Sequence, residues 1–223
     1  MKILSIDTAS NLCTVAVLEN KKCIKEIIVN DARNHSEKIM PVIEQALSES
    51  KLTLQDINLI VCDKGPGSFT GIRIGVGTVL AFKDSLNIPC VGISSLESLA
   101  YNIASDGIIC SLIDAKNNNV YFGVFEKKNN IVTQLEELNF KTIEEIIPIL
   151  TKYDKINFVG DGSIIHKEHL LSNLNTCTFS DKNDLSSFSL GLAGLNAYNQ
   201  NTNFDLMPLY LRKSQAERAL GNK

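Results

Sequence analysis

The chain has no surplus of positive charge. Its 22 Lys and Arg face 25 Asp and Glu, for a net charge of −3. A protein that grips nucleic acid unaided usually carries a basic face, so the chain alone is not expected to bind nucleic acid. A local exception is the stretch 211–223, where Arg212, Lys213, Arg218 and Lys223 outweigh Glu217. No apolar run reaches the length of a membrane span. The first residues, MKILSIDTAS, enter a strand pattern without a long apolar leader. A soluble, cytoplasmic protein with no membrane contact is expected. None of the six cysteines forms a CxxC pair, and four lie in apolar runs. They read as reduced, mostly buried thiols. GxSxG is absent, and with three histidines in all no base can be assigned to a Ser or Cys nucleophile.

What is present is an ordinary core-forming composition, 44% hydrophobic and 21% charged, with an internal repeat. The segment LSIDTASNLCTVAVLENKK at 4–22 resembles LIDAKNNNVYFGVFEKK at 112–128. Asp7 aligns with Asp114, Asn11 with Asn118 and Val17 with Val124. Each copy is a strand ending in Asp, a polar turn and a second strand. A third strand follows at 23–29 and at 131–140, then a helix pattern at 36–48 and at 143–152. Next come a strand ending in Asp and Gly (INLIVCDKGPGS, INFVGDGS) and a further helix. Chance similarity between hairpins is the alternative, but the shared order βββαβα favours duplication. The predicted fold is α/β, with two lobes that each carry a mixed sheet. The boundary falls near 104–107, giving units 1–104 and 105–223. This plan resembles the actin-like (ASKHA, RNase H-like) ATPases, in which strand-end Asp residues look into a nucleotide cleft between the lobes.

The most site-like stretch is IVCDKGPGSFTGIRIGVGTVL at 60–80. It fails as a phosphate loop. A Walker A motif needs a second Gly followed by Lys, yet the fifth position is Thr70 counted from Gly65 and Ile72 counted from Gly67, with no Lys after either. GxGxxG would need Gly where Thr70 stands, and no ribose-binding acid follows in a Rossmann context. Ser68 or Thr70 can cap the next helix, and free amides there can hold an anion. A structural turn with an interface role and an anion contact both remain open.

At the strand ends, Asp7 and Thr8 begin a turn without glycine, and so does Asp114. Backbone does not approach phosphate closely past a Cβ. Either each Asp orders its own turn, or the pair makes a weak nucleotide contact. His35 opens a helix, but the position one turn on is Ile39, so an HxxxH metal pair is incomplete. His166 and His169 lie in a polar segment and read as solvated surface. No metal and no cofactor are expected.

The helix after the glycine turn, GIRIGVGTVLAF, is apolar nearly all round. Gly71 and Gly75 share a face, and Ile72, Val76 and Val79 line another. Two uses are open for the glycine gaps. They admit a partner, with Arg73 and His35 at the margin and Ile39, Val42, Ile43 and Ala46 of the preceding helix as neighbours. Or they admit this chain's own first helix.

The segments ILSIDTAS, HSEKIMPVIEQAL, GPGSFTGIRIGV, SSLESLA, SLIDAKNNNVYFGVF and PLYLRKSQAE together closely resemble the TsaB (YeaZ) family, from Ile3 to Glu217. The resemblance implies an actin-like fold without chemistry of its own. It implies pairing through the first lobe with TsaD, the catalytic subunit of tRNA threonylcarbamoyladenosine synthesis, joined by the ATPase TsaE. It also implies a homodimer when alone and tRNA contact only through the complex. TsaD binds metal through an HxxxH, and here the matching positions are His35 and Ile39. The alternatives are a stand-alone actin-like ATPase or kinase, and a glycoprotease-like metallopeptidase.

Overall fold

A computed structural model describes residues 1–30 and 34–212. Strands β1 (Lys2–Asp7), β2 (Leu12–Glu19) and β3 (Lys22–Asn30) form an antiparallel meander. Helix α1 (His35–Glu49) leads to β4 (Leu59–Asp63), which pairs parallel to β1. Helix α2 (Phe69–Leu86) then leads to β5 (Cys90–Ile93), parallel to β4, and the short α3 (Ser95–Ala100) follows. The first sheet therefore runs β3-β2-β1-β4-β5. Its central strands are buried on both faces, as their unbroken apolar runs require where helices cover both sides.

The second half repeats the scheme with β6 (Gly107–Asp114), β7 (Asn119–Lys128), β8 (Ile131–Gln134) and β9 (Asn139–Thr142). Helix α4 (Ile143–Leu150), β10 (Ile156–Val159), helices α5 (Asp161–Ile165) and α6 (Lys167–Asn173), β11 (Cys177–Phe179) and α7 (Ser187–Asn199) complete it. Strand order is β11-β10-β6-β7-β8, with β9 also on β7. The single third strand expected at 131–140 is split. Leu135 and Glu136 both donate to Val124 O, which interrupts the ladder along β7 before β9 resumes it.

The expected unit 105–223 departs from the structure at its end. Helix α7 packs on the first sheet, on the face opposite α2. Its glycines allow this. A Cβ on Gly191 would lie 2.7 Å from Leu18, and one on Gly194 2.3 Å from Val61. The Glu26 carboxylate of β3 fixes the helix start, accepting from Ser186 Oγ at 2.8 Å and Phe188 N at 3.0 Å. Residues 203–212 then run as a strap over the same lobe. Gly92 N donates to Asn203 O and Leu209 N to Lys64 O. One core cluster consequently extends from Ile3 and Leu59 into Ile109 and Phe125 of the second lobe, and a smaller one fills the space beneath α4.

All six cysteines are free thiols. Cys13, Cys62, Cys90 and Cys110 are buried, and Cys23 and Cys177 half-buried.

Candidate functional site

The turns at the ends of β1 and β6 face each other across an interlobe cleft. Two adjoining cavities occupy it, about 250 and 320 Å3 in volume. Ser10 and Asn11 line both from the first lobe, and Asp161 lines both from the second. Of the residues expected at a nucleotide site, Ser68 and Asp114 reach this cleft. Asp7, Thr8 and Thr70 are not among its walls.

Asp7 is withdrawn into the protein. It is 1% exposed, and its Oδ1 accepts from Ala9 N at 2.7 Å. Asp114 orders its own turn in the same way, accepting from Lys116 N at 3.1 Å and from Lys116 Nζ at 2.7 Å. The readings of these residues as turn-formers match the geometry. Thr8 is also enclosed, its Oγ1 donating to Gly71 O at 2.7 Å. Ser68 caps α2, accepting from Gly71 N at 3.2 Å, while Thr70 lies exposed in the first turn without capping.

A second acid beside Asp7 was not singled out from the sequence. Ile6 pairs with Cys62 in the β1–β4 ladder, so Asp7 and Asp63 are the next pair along, on adjacent strands roughly 5 Å apart. Asp63 is likewise 1% exposed. Its Oδ1 accepts from Gly65 N and from Ser95 Oγ, both at 2.7 Å. Neither Oδ2 of this pair has a hydrogen-bond partner among the described residues. Burial pushes the Asp63 carboxyl up to about 7 against the pull of those two donors. Burial, and then the charge of Asp63, raise Asp7 well above the carboxylate range. Two buried carboxyls on neighbouring strands do not both ionise near neutrality. The signal was in the sequence, since IVCDKGPG ends a strand in Asp as ILSID does. What hides it is that the repeat aligns Asp7 with Asp114 across the two halves, whereas Asp63 becomes its neighbour only within one sheet.

Asp161, at the start of α5, was also missed. Its Oδ1 accepts from Asp114 N at 3.0 Å and Gly162 N at 2.8 Å, and burial raises its pKa. The walls of the cleft therefore carry Asp114, Asp161 and Asp184 against one lysine, Lys116, already paired with Asp114.

The glycine-rich turn is pressed against the first Asp turn. A Cβ on Gly67 would lie 2.2 Å from Ala9 O, and Ser68 N donates to that same oxygen at 2.7 Å. The strap closes over the turn from outside. Tyr210 stacks on Phe69 with ring centroids 4.5 Å apart, and Arg73 Nε donates to Tyr210 Oη at 2.8 Å. Arg212 reaches the second lobe, donating to Ala115 O at 2.9 Å over the Phe140 ring. Of the basic stretch 211–223, Lys213 and all later residues, including Arg218 and Lys223, lie outside the described residues.

Most of the residues expected at a partner interface belong to this chain's own core. Ile39, Val42, Ile43, Ala46, Ile72, Val76 and Val79 are each at most 4% exposed. They fill the layer between α1, α2 and the sheet, which is what the apolar face of an amphipathic helix does first. Gly71 and Gly75 also point inward, at the Thr8 turn and not at the first helix. A Cβ would meet Thr8 O at 1.9 Å from Gly71 and Thr8 Oγ1 at 2.6 Å from Gly75. His35 is buried with Nε2 3.0 Å from Ser10 O. Among the described residues no group of three His, Cys, Asp or Glu is placed to hold a metal ion.

The outer face of α2 is different. Arg73, Gly77, Leu80, Ala81 and Asp84 recur at helical spacing and are exposed. Gly77 has no atom within 4 Å of its Cβ position. Leu80 is 39% exposed, and Met40 of α1, which packs beside α2, is 41% exposed.

The model of the family TsaD, tRNA N6-adenosine threonylcarbamoyltransferase, matches residues 22–220. The tRNA threonylcarbamoyladenosine biosynthesis protein TsaB of Bacillus subtilis (strain 168) is 35% identical over 181 residues, 80% of this chain and 79% of that protein. The chain belongs to the TsaB family. YeaZ from Pseudomonas aeruginosa has a TM-score of 0.79 at 23% identity, over 94% of this chain and 99% of that one. The inorganic polyphosphate/ATP-glucomannokinase from Arthrobacter sp. strain KM has a TM-score of 0.51 at 10% identity, over 89% and 99%. At these identities the two structures show the fold alone, and that fold is actin-like. In this TsaB-family chain, the cleft that an actin-like fold builds between its lobes is lined by turns tied up in their own hydrogen bonds.

Proposed function

We propose that this chain is the non-catalytic subunit required for tRNA threonylcarbamoyladenosine modification next to the anticodon. It binds and supports a TsaD-like catalytic subunit together with a TsaE-like ATPase. It meets tRNA only through that assembly, and alone it pairs with itself through the same face. It works in the cytoplasm.

The observation that carries this reading is the state of the cleft. Backbone approach to phosphate needs glycines free of other contacts, but Gly67 is spent against Ala9 O. A Mg2+-nucleotide needs a free carboxylate it can reach, but Asp7 is enclosed and raised by burial and then by Asp63, and Asp114 and Asp161 at the cleft wall are engaged by Lys116 and by backbone N–H groups. Lys116, the cleft's cation, is bound to Asp114. Membership of the TsaB family supplies the pathway. The net charge of −3 supports indirect contact with tRNA.

For the partner face, the outer side of α1 and α2 replaces the buried residues first expected. Met40, Gly77, Leu80 and Ala81 make an apolar, low-relief strip on which a second helix pair can lie close. Arg73, anchored to Tyr210, borders it. The test is mixing the chain with a TsaD-like protein and following complex formation by size-exclusion chromatography. Leu80→Asp is expected to abolish the complex while the variant melts like the parent. ATP hydrolysis by the purified chain, lost in Asp114→Ala, would favour the kinase reading instead.

A further inference from the structure

Away from the interlobe cleft, a cavity of about 570 Å3 opens between the β7–β8 hairpin and the last turns of α7. It is larger than either part of the cleft and within the size range of small-molecule sites. Leu192, Leu195 and Ile131 give it apolar walls, and Tyr101, Lys127 and Lys21 give it polar ones. No acidic residue is among its walls.

One of these groups is buried with too few partners. Lys127 is 5% exposed. Its Nζ donates to Ile103 O and lies 5.7 Å from the centroid of the Tyr101 ring. An ammonium carries three N–H groups, and one carbonyl takes one of them. Tyr101 is 8% exposed; its hydroxyl is wholly enclosed and is approached by Val132 N–H and the Asn196 side chain, so the ring is the part that meets the cavity. Burial, with the nearby charge of Glu97, raises the phenol to about 12 against the pull of those two groups. Burial lowers Lys127, and the Asp106 carboxylate opposes that. Asp106 and Glu97 are the acids acting on the pair, and neither lines the cavity. A buried cation left short of acceptors is costly. Lys127 lines the cavity, and the acceptor its ammonium lacks is an anion's oxygen.

We propose that this cavity binds a small amphiphilic organic anion, whose carboxylate accepts from Lys127 and whose apolar body lies on Leu192 and Leu195. The apolar wall distinguishes this ligand from inorganic phosphate, which has nothing to place there. Lys21, exposed at the rim, adds attraction at longer range.

The chain contains no Trp, so Asn199→Trp at the exposed rim installs a single fluorescent reporter. Titration with octanoate is expected to give a saturable response at one site. In the same background Lys127→Met is expected to weaken octanoate binding about tenfold or more, the loss of a charge-assisted hydrogen bond. If Lys127→Met fails to fold, Lys21→Glu at an exposed position serves instead, with an expected loss of several-fold. The proposal is overturned if octanoate gives no saturable response, or if the folded variants bind it undiminished. It is also overturned if 1-octanol binds as tightly, or if inorganic phosphate binds more tightly.

Discussion

Two glycines of one helix should respond in opposite directions to the same substitution. Gly71→Ala and Gly77→Ala each add a methyl to α2 and each gain about 0.8–1 kcal/mol in helix propensity. At Gly77 the new Cβ meets nothing within 4 Å, so the gain is kept. At Gly71 it would lie 1.9 Å from the Thr8 carbonyl oxygen. Ordinary contact begins near 3.4 Å, so the helix has to move away by roughly 1.5 Å. That shift disrupts the buried Thr8 Oγ1–Gly71 O bond, worth about 0.5–1.5 kcal/mol. Overpacking adds about 1–3 kcal/mol. Net of propensity, Gly71→Ala should destabilise by about 0.5–3.7 kcal/mol. For a protein of this size 1 kcal/mol moves Tm by about 2–4 °C. Thermal unfolding followed by circular dichroism is expected to show Gly77→Ala melting about 2–4 °C higher and Gly71→Ala roughly 1–15 °C lower. If both variants melt higher, α2 does not press on the Thr8 turn, and the assignment of its inner and outer faces is wrong.

Leu80→Asp and Met40→Asp, at exposed sites, should leave the urea midpoint within about 0.5 kcal/mol of the parent yet prevent both self-pairing and TsaD-like pairing in sedimentation experiments; retained pairing places the interface elsewhere. Stability should fall as pH rises from about 4 to about 7. Over that window the folded chain keeps a proton on Asp63, whose value is raised to about 7, while the unfolded chain has released it near 3.8. Asp7, shifted the same way, adds to the effect. Asp63→Asn keeps an acceptor for Gly65 N and Ser95 Oγ and should flatten the profile of urea midpoint against pH; an unaltered slope contradicts the carboxyl-pair reading. Purified chain should not turn over ATP in a coupled phosphate-release assay, and turnover that disappears in Asp114→Ala speaks for the kinase.

The repeat made the order of elements legible, because a strand-end Asp followed by a second apolar strand recurs at Asp7 and Asp114. Bounds of α1 and β3 lie within a residue or two of the periodicity. The return of α7 to the first sheet was not legible. Its sequence, SFSLGLAGLNAYN, shows a helix with apolar residues and glycines on several sides, and nothing local names the sheet that covers it. The direction of Gly71 and Gly75 was hidden for a related reason. A helix apolar nearly all round offers no polar stripe to orient it, so glycines that fit Thr8 and glycines that fit a partner have the same spacing. The exposed Gly77, two residues on, was the one left open. Asp63 was passed over because its partner, Asp7, lies 56 residues away in sequence and becomes a neighbour only through the parallel β1–β4 ladder.

The proposed function makes this a chain that does no chemistry itself and is needed by one that does. Threonylcarbamoyladenosine formation on unmodified tRNA, assayed by nucleoside mass spectrometry with TsaD-like and TsaE-like proteins and the threonylcarbamoyl donor, tests this most directly. Modified nucleoside should accumulate with this chain present, fall to background without it or with Leu80→Asp, and persist when Asp114→Ala is used. Equal modification without the chain, or loss of modification with Asp114→Ala in an intact complex, contradicts the account.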